Sequence, residues 1–265
     1  MKKITIITGA SSGMGKEFAV QLFNRYENQN EQNRELWLLA RSKENLEQLA
    51  NSLTGKTKVK IFAVDLGGSA GAQKFNQILQ NENSTKEFFI EYLINNAGFG
   101  TYGPFNETPV EKEMQMIDLN CTSLTGICGY SIKYLKEGST IINVASLASF
   151  MPLGNFAVYA ATKAYVLSFS LALAAELKDK KIKVSALCPG SVSTNFANIA
   201  SNGKRKEVLH GRDPKKVVSH CLKNADKGKK TILTFAKWRL TAFASRFAGR
   251  FLVARATFIF AKRPH

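Results

Sequence analysis

The sequence of 265 residues has few of the residues that bind metals or form disulfides. It contains four cysteines and three histidines, and neither type is clustered. The cysteines are Cys121, Cys128, Cys188 and Cys221, with no Cys-x-x-Cys pair among them. Reduced thiols that pack as small apolar side chains are therefore the favoured interpretation. We expect no disulfide framework and no metal site.

Long uncharged apolar runs are also missing. No stretch reaches the roughly 18 uncharged apolar residues that cross a bilayer. An apolar strand pattern begins within three residues of Met1, so we expect no signal peptide. Hydrophobic residues make up 45% of the sequence, which is enough for the core of one α/β domain. We expect a cytoplasmic protein.

A glycine-rich turn separates the first predicted strand from the first predicted helix. Gly9, Gly13 and Gly15 follow the β-branched run Lys3–Thr8, and a helical pattern over Lys16–Phe23 comes next. A strand, a glycine turn and a helix form the phosphate-binding start of a dinucleotide fold. The spacing Gly-x-x-x-Gly-x-Gly differs from the commonest fingerprint, and a glycine turn without a ligand is the alternative.

Strand and helix patterns alternate along the chain, as in a doubly wound parallel sheet. Predicted strands cover Lys3–Thr8, Glu35–Ala40, Lys58–Val64, Phe89–Ile94, Thr140–Ala145, Lys183–Leu187 and Lys230–Thr234. Predicted helices after the first cover Lys43–Leu53, Ser69–Asn81, Glu111–Leu135 and Phe156–Leu177. The sequence therefore predicts a Rossmann-type α/β fold of about seven strands. Residues 1–234 would form this single domain, followed by a basic helical extension over 235–265.

Tyr159 and Lys163 are four residues apart in the last of these predicted helices, and Ser146 lies thirteen residues before Tyr159. Residues i and i+4 project from one face of a helix. A neighbouring ammonium group lowers the pKa of a phenol and makes it usable as a general acid or base. Such a pair alone is more often an ordinary pair of helix-surface neighbours.

Five motifs in order give the sequence its resemblance to the short-chain dehydrogenase/reductase family. They are Thr8-Gly9-x-x-x-Gly13-x-Gly15, Asp65 after the third strand, Asn95-Asn96-Ala97-Gly98, the set Asn120, Ser146, Tyr159 and Lys163, and Pro189-Gly190 with Thr194. The resemblance spans residues 3 to about 195 and weakens over the last ~70 residues. It implies a homodimer or homotetramer and hydride transfer between a nicotinamide cofactor and a carbonyl or alcohol.

The resemblance also implies roles for single residues. The catalytic set would be Asn120, Ser146, Tyr159 and Lys163. The cofactor would contact Gly9, Ser11, Ser12, Gly13, Met14, Gly15, Arg41, Ser42, Asp65, Leu66, Asn96, Ala97, Gly98, Tyr159, Lys163, Pro189, Gly190, Val192 and Thr194. Tyr159 would exchange a proton with the substrate oxygen, and Lys163 would hold the nicotinamide ribose. Asn120 would be the family's helix-kinking asparagine and would hold a water in a proton relay. Taken singly, Ser146 and Asn120 are more simply a strand-end hydroxyl and a helix-surface amide.

Strand two ends in Arg41 where an NAD-binding fold usually has a carboxylate for the ribose hydroxyl. A guanidinium group can form paired hydrogen bonds with a 2′-phosphate, so we expect NADP(H). Ser12 precedes the middle glycine, where a second basic residue is common in the family, and an arginine that only caps a loop is the alternative.

Positive charge is concentrated at the C-terminus. Residues 199–265 carry +14 of the formal +17. Within them Leu240, Phe243, Phe247, Phe251, Ala254 and Phe258 recur at helical spacing, flanked by Arg239, Arg246 and Arg250. Docking on the domain or within an oligomer is narrowly favoured, and peripheral contact with an anionic membrane is the alternative. Nucleic acid is the least favoured partner, because no recognition motif is present.

The substrate is the least defined feature. By family position, segments 147–156 and 191–211 would line its pocket and contribute Phe150, Met151, Leu153, Phe156 and Phe196. These side chains favour an apolar ketone or aldehyde, of a steroid, acyl or xenobiotic type. A protein that binds NADP for regulation or as a scaffold, with vestigial catalysis, is the alternative function.

Overall fold

The computed structural model describes residues 1–29, 33–205 and 211–262. Within them, seven parallel strands form one sheet with the order β3-β2-β1-β4-β5-β6-β7. The strands are β1 (Lys2–Thr8), β2 (Arg34–Ala40), β3 (Lys58–Ala63), β4 (Phe88–Asn95), β5 (Leu135–Val144), β6 (Lys183–Leu187) and β7 (Thr231–Ile232). The crossover between β1 and β4 makes the switch point at which doubly wound folds bind ligands. The predicted fold class is confirmed.

Helices cover both faces of the sheet. They are α1 (Gly13–Gln29), α2 (Lys43–Ser52), α3 (Gly68–Thr85), α4 (Val110–Ile117), α5 (Leu124–Ser131), α6 (Ala157–Glu176), α7 (Phe196–Ala200), α8 (Pro214–Asp226), α9 (Ala236–Ala244) and α10 (Arg250–Phe260). One core cluster joins the sheet to α3, α5 and α6, and a second joins it to α1, α2 and α8. In β1, Ile6 belongs to the first cluster and Ile7 to the second, as the two-residue period of a strand requires.

The helix predicted over Glu111–Leu135 is interrupted. A π-helical turn, Asp118–Ser123, separates α4 from α5, and a 3₁₀ turn follows α5 before β5 begins at Leu135. The apolar period of 111–135 predicted one continuous helix. The π-helical turn, in which hydrogen bonds run from i to i+5, interrupts that helix around Asn120. Strand β5 begins at Leu135, five residues before the predicted Thr140. The prediction began late because Lys136 and Gly138 are residues typical of a turn.

The C-terminal extension forms two helices where one was predicted, and the segment before it contains helices that were not predicted. Helices α9 and α10 are separated by residues 245–249, where the predicted stripe had continued without a break. Helices α7 and α8 had no predicted counterpart. Of the three histidines, His210 and His265 lie outside the described residues, as does part of the predicted pocket segment 191–211.

Among the described helices, α6 alone has the length and composition of a membrane span. It carries Lys163 and packs against the sheet, with Tyr159, Val166 and Leu173 buried. The buried part of its apolar surface therefore belongs to the protein core.

Candidate active site

The glycine turn after β1 has the backbone geometry that its sequence predicts. Gly9 and Gly13 have φ values of +64° and +54°, a region that favours glycine. A Cβ on Gly15 would overlap the carbonyl oxygen of Gly9. The absence of a side chain at Gly15 therefore allows α1 to pack closely against the end of β1. The turn places the N-terminus of α1 at the carboxyl edge of the sheet.

Asn96 ties this turn to the end of β4. Its Nδ2 donates to the carbonyl oxygens of Thr8 and Gly9, each at 3.1 Å. The Thr8 hydroxyl accepts hydrogen bonds from the backbone N–H groups of Asn96 and Ala97, each at 3.0 Å. The two loops at the switch point are therefore held together by side-chain hydrogen bonds.

Tyr159 and Lys163 lie on the face of α6 that points to the cleft. The Lys163 Nζ lies 5.8 Å from the centroid of the Tyr159 ring. The Tyr159 ring stacks on Phe156, with centroids 4.2 Å apart, and contacts Phe196 at 5.4 Å. A Cβ on Gly100 would be 2.9 Å from the Tyr159 ring, so the phenol occupies an aromatic slot with little room for another conformation.

Lys163 is buried and donates a hydrogen bond from Nζ to the carbonyl oxygen of Val144, at the end of β5, at 2.8 Å. Burial lowers the pKa of Lys163 to about 8, because removal from water disfavours the ammonium form. The end of β5 thus holds the Lys163 amine beside the Tyr159 phenol. With this lowered pKa, the amine can change its charge near neutral pH.

Ser146 follows β5 and begins a short 3₁₀ turn. Its hydroxyl accepts a hydrogen bond from the Ala148 N–H at 3.1 Å and lies 3.4 Å from the Pro189 carbonyl oxygen. The Ser149 hydroxyl, which bonds the Ser146 N–H, donates to the carbonyl oxygen of Lys163 at 2.7 Å. These bonds connect the Ser146 turn directly to the helix that carries Tyr159.

Asn120 lies in the π-helical turn and is 1% exposed. Its Nδ2 donates to the Phe99 carbonyl at 3.0 Å and to the Thr162 hydroxyl at 3.1 Å, and its Oδ1 accepts from the Phe99 N–H at 3.2 Å. The side chain therefore joins the loop after β4 to α6. It does not line the cleft, unlike the other three predicted catalytic residues.

A cleft of about 1390 Å³ runs along this edge of the sheet. It is lined by Ser146, Tyr159, Lys163 and every residue predicted to contact the cofactor except Gly15. Met151, Leu153, Phe156 and Phe196 form apolar lining, as predicted. Phe150 does not line the cleft. It packs against the core cluster under α6, because the 3₁₀ turn after Ser146 directs it inward.

The sequence matches the family described as short chain dehydrogenase over residues 3–205, most of the chain. The chain belongs to the short-chain dehydrogenase family. A very-long-chain 3-oxoacyl-CoA reductase from Vanderwaltozyma polyspora is 31% identical over 236 residues, with 83% of this chain and 62% of that protein aligned.

Solved structures show the same fold over nearly the whole chain. A short-chain dehydrogenase from Sphingobium yanoikuyae in complex with NADPH has a TM-score of 0.76 at 27% identity, covering 93% of this chain and 94% of that one. A bulky-bulky ketone specific alcohol dehydrogenase from Comamonas testosteroni has a TM-score of 0.72 at 25% identity, covering 92% of each chain. Across such structures the cofactor is NADPH in some and NAD in others.

This short-chain dehydrogenase also brings into its cleft residues that the sequence did not identify. Helix α9, beyond the matched residues, contributes Lys237, Trp238 and Thr241. Trp238 is buried, and a Cβ on Gly190 would overlap its indole Nε1. The signal that could have indicated this contact is a tryptophan shortly after the last strand, because such a large apolar side chain is usually buried.

Proposed function

We propose that this short-chain dehydrogenase is an NADP(H)-dependent enzyme that reduces an apolar ketone or aldehyde, or oxidises the matching alcohol. The observation that carries the proposal is the position of Tyr159, Lys163 and Ser146 on the wall of one cleft, beside the glycine turn after β1. Three groups suited to proton transfer at a carbonyl oxygen thus face the site that a dinucleotide would occupy.

The residues fit the cofactor that the family uses. Gly13 lines the cleft with a positive φ, and a Cβ there would be 3.3 Å from Thr194. A side chain would therefore narrow the space between the glycine turn and the segment after β6. When bound, the nicotinamide supplies or accepts the hydride. Gly9, Ser12, Asn96 and the rest of the predicted set would hold it.

Tyr159 is the proposed general acid in reduction. Its hydroxyl would give a proton to the carbonyl oxygen as that atom gains negative charge, and would take the proton back in oxidation. The ammonium form of Lys163 would stabilise the phenolate that remains, and its N–H groups would bind ribose hydroxyls. The Ser146 hydroxyl would donate a hydrogen bond to the same substrate oxygen. Asn120 would hold the loop after β4 in a fixed position relative to α6 through its hydrogen bonds to Phe99 and Thr162.

NADP(H) is the proposed cofactor because of Arg41. This side chain is exposed at the carboxyl end of β2 and lines the cleft beside Ser42. Asp65, also on the cleft, accepts a hydrogen bond from the Gly67 N–H at 3.0 Å, which fixes its carboxylate at the end of β3. A guanidinium group at this position favours a 2′-phosphate over a free hydroxyl.

The apolar substrate is inferred from the walls around Tyr159. The rings of Phe156 and Phe196 contact the Tyr159 ring, and Leu153 packs against the same cluster. Met151 also lines the cleft. Burying such side chains against a ligand contributes roughly 25 cal/mol per Å². Two relatives, named as a bulky-bulky ketone specific alcohol dehydrogenase and a very-long-chain 3-oxoacyl-CoA reductase, support a bulky carbonyl substrate.

A homodimer or homotetramer is the proposed assembly. Helices α4 and α6 pack side by side and leave large apolar side chains in water, with Met114 60% exposed and Tyr165 42% exposed. Val110, Ile117 and Leu171 extend this exposed set. Pairing of this face between two copies would bury it.

A panel of ketones and aldehydes of increasing size, scored by loss of NADPH absorbance, tests the proposed function. We expect turnover that rises with apolar substituents and is far slower with NADH. Tight NADPH binding with no turnover on any member of the panel, even with the matching alcohols and NADP⁺, would instead favour the regulatory alternative.

A further inference from the structure

The two C-terminal helices leave a large apolar surface exposed. We define the C-terminal apolar patch as Leu240, Phe243, Phe247, Phe251, Leu252, Ile259 and Phe260, each at least 43% exposed. Phe247 and Phe251 are 76% and 78% exposed, and the rings of Phe243 and Phe247 contact each other at 5.2 Å. A group of large apolar side chains exposed on two consecutive helices often marks an interaction site.

The opposite sides of both helices are anchored to the domain. On α9, Trp238 and Ala242 are buried. On α10, the Thr257 hydroxyl accepts a hydrogen bond from the Gly154 N–H at 2.9 Å, and Asn155 Nδ2 donates to the Phe258 carbonyl at 2.9 Å. The patch is therefore a fixed surface of the folded protein rather than a face that could turn inward.

The charge around the patch is of one sign. Residues 235–265 contain seven Lys and Arg and no Asp or Glu. Arg239, Arg246, Arg250, Arg255 and Lys262 are all exposed within the described part of this segment. Arg255 lies over the Phe258 ring at 5.6 Å, so apolar and cationic groups are interleaved. This pattern is complementary to an anionic surface that has an apolar layer beneath it.

A second copy of the chain fits the patch poorly. In a twofold contact the same residues face each other. Such a contact here would bring arginines of both copies together with no carboxylate in either segment to pair with them, and like charges across an interface oppose association. A lipid surface has no such repulsion, because its headgroups supply the negative charge.

We infer that the C-terminal apolar patch docks the enzyme on the surface of an anionic lipid bilayer. The patch aromatics would enter the interface while the arginines contact lipid phosphates. Helix α9 carries Lys237 and Thr241 on the cleft and Leu240 and Phe243 on the patch. Docking would therefore bring the cleft close to the lipid. If the proposed apolar substrate is right, that substrate could pass from the bilayer to Tyr159.

Co-sedimentation of the full-length protein with vesicles tests the docking. One set contains phosphatidylcholine alone and the other contains about 30% phosphatidylglycerol. We expect the protein to pellet with the anionic vesicles only, and to be released at about 0.5 M NaCl, where the Debye length is only a few ångströms. NADPH binding in solution, measured separately, reports the proposed function without any lipid.

Two patch variants and one matched control separate the outcomes. Arg246→Glu/Arg250→Glu should weaken vesicle binding by at least about thirtyfold, because each basic residue near the membrane raises the affinity about fivefold. Phe247→Ser/Phe251→Ser should weaken it comparably. Lys178→Glu/Lys180→Glu makes the same charge change at exposed positions after α6 and should leave binding within about threefold.

Failure of the wild type to pellet with anionic vesicles would overturn the inference, as would patch variants that bind like the wild type. Sedimentation velocity of the same proteins shows whether a second copy of the chain covers the patch instead. If Phe247→Ser/Phe251→Ser breaks an oligomer and vesicle binding is absent, the patch is an interface between copies of the chain. Loss of vesicle binding with unchanged oligomeric state and unchanged NADPH affinity is the expected result.

Discussion

The indole of Trp238 lies directly against Gly190, so closely that a Cβ on that glycine would overlap Nε1. Trp238 is 6% exposed and also contacts the Phe235 ring at 4.8 Å. Gly190 belongs to the segment after β6 that lines the cleft. Helix α9 therefore supports one wall of the cleft from outside the part of the chain that matches the family.

Trp238→Ala should destabilise the protein by about 3–5 kcal/mol, because a large buried side chain is lost. It should also raise the Kd for NADPH, since the segment from Pro189 to Thr194 loses its support. Denaturant unfolding and NADPH fluorescence titration measure the two effects. Phe243→Ala, on the exposed side of the same helix, is the control and should change stability by no more than about 0.5 kcal/mol. Equal effects of the two substitutions would refute this role for Trp238.

Arg41→Ala should weaken NADPH binding by about 1.5–3 kcal/mol, the range for hydrogen bonds to charged groups, and leave NADH binding nearly unchanged. Isothermal titration with both cofactors gives the difference. Lys43→Ala is the control, because Lys43 is exposed and pairs with Glu47 rather than lining the cleft. If the wild type binds NADPH and NADH equally well, Arg41 does not select the cofactor.

Lys163→Met should make the protein more stable at pH 7, at the cost of activity. Burial lowers the pKa of Lys163 to about 8, so below pH 8 the folded state holds a buried charge that the unfolded state exposes to water. Between pH 8 and 10.5 the Lys163 amine binds more protons in the unfolded state than in the folded state. The free energy of unfolding of the wild type therefore rises with pH across that window. The advantage of the variant should be about 3 kcal/mol larger at pH 7 than near pH 10.5. Urea unfolding of both proteins at pH 7 and near pH 10 measures it, and a difference independent of pH would contradict the buried charge.

Much of the fold could be predicted because its signals are local. The apolar runs that became β1, β2 and β6 have the composition of buried parallel strands. Gly9 and Gly13 mark a turn whose positive φ values favour glycine. The grouping of Ser146, Tyr159 and Lys163 was predictable from the family motifs. They share one cleft because Ser146 follows the carboxyl end of β5, while Tyr159 and Lys163 lie on the face of α6 that points to it.

The parts that could not be predicted depend on contacts distant in sequence. The π-helical turn forms around Asn120, whose side chain bonds Phe99 and Thr162, and no local period encodes those partners. The early start of β5 depends on the Ser139 hydroxyl, which donates to the Ile90 carbonyl at 2.6 Å. Trp238 reaches Gly190 only because the chain after β7 returns to the cleft.

Proton transfer by the Tyr159 hydroxyl can be tested with a single substitution. Tyr159→Phe removes only the hydroxyl, and the ring contacts with Phe156 and Phe196 should remain. Tyr165→Phe is the matched control on the same helix, because its hydroxyl bonds Thr125 on the exposed side at 2.7 Å.

The measurement is kcat for reduction of a substrate from the ketone panel, with NADPH affinity determined on the same samples. Tyr159→Phe should lower kcat by at least about 10²-fold, the lower end of what general acid catalysis contributes, with NADPH affinity within about threefold of wild type. Tyr165→Phe should keep wild-type kcat. A Tyr159→Phe enzyme that keeps most of its activity while binding NADPH normally would contradict proton transfer by Tyr159.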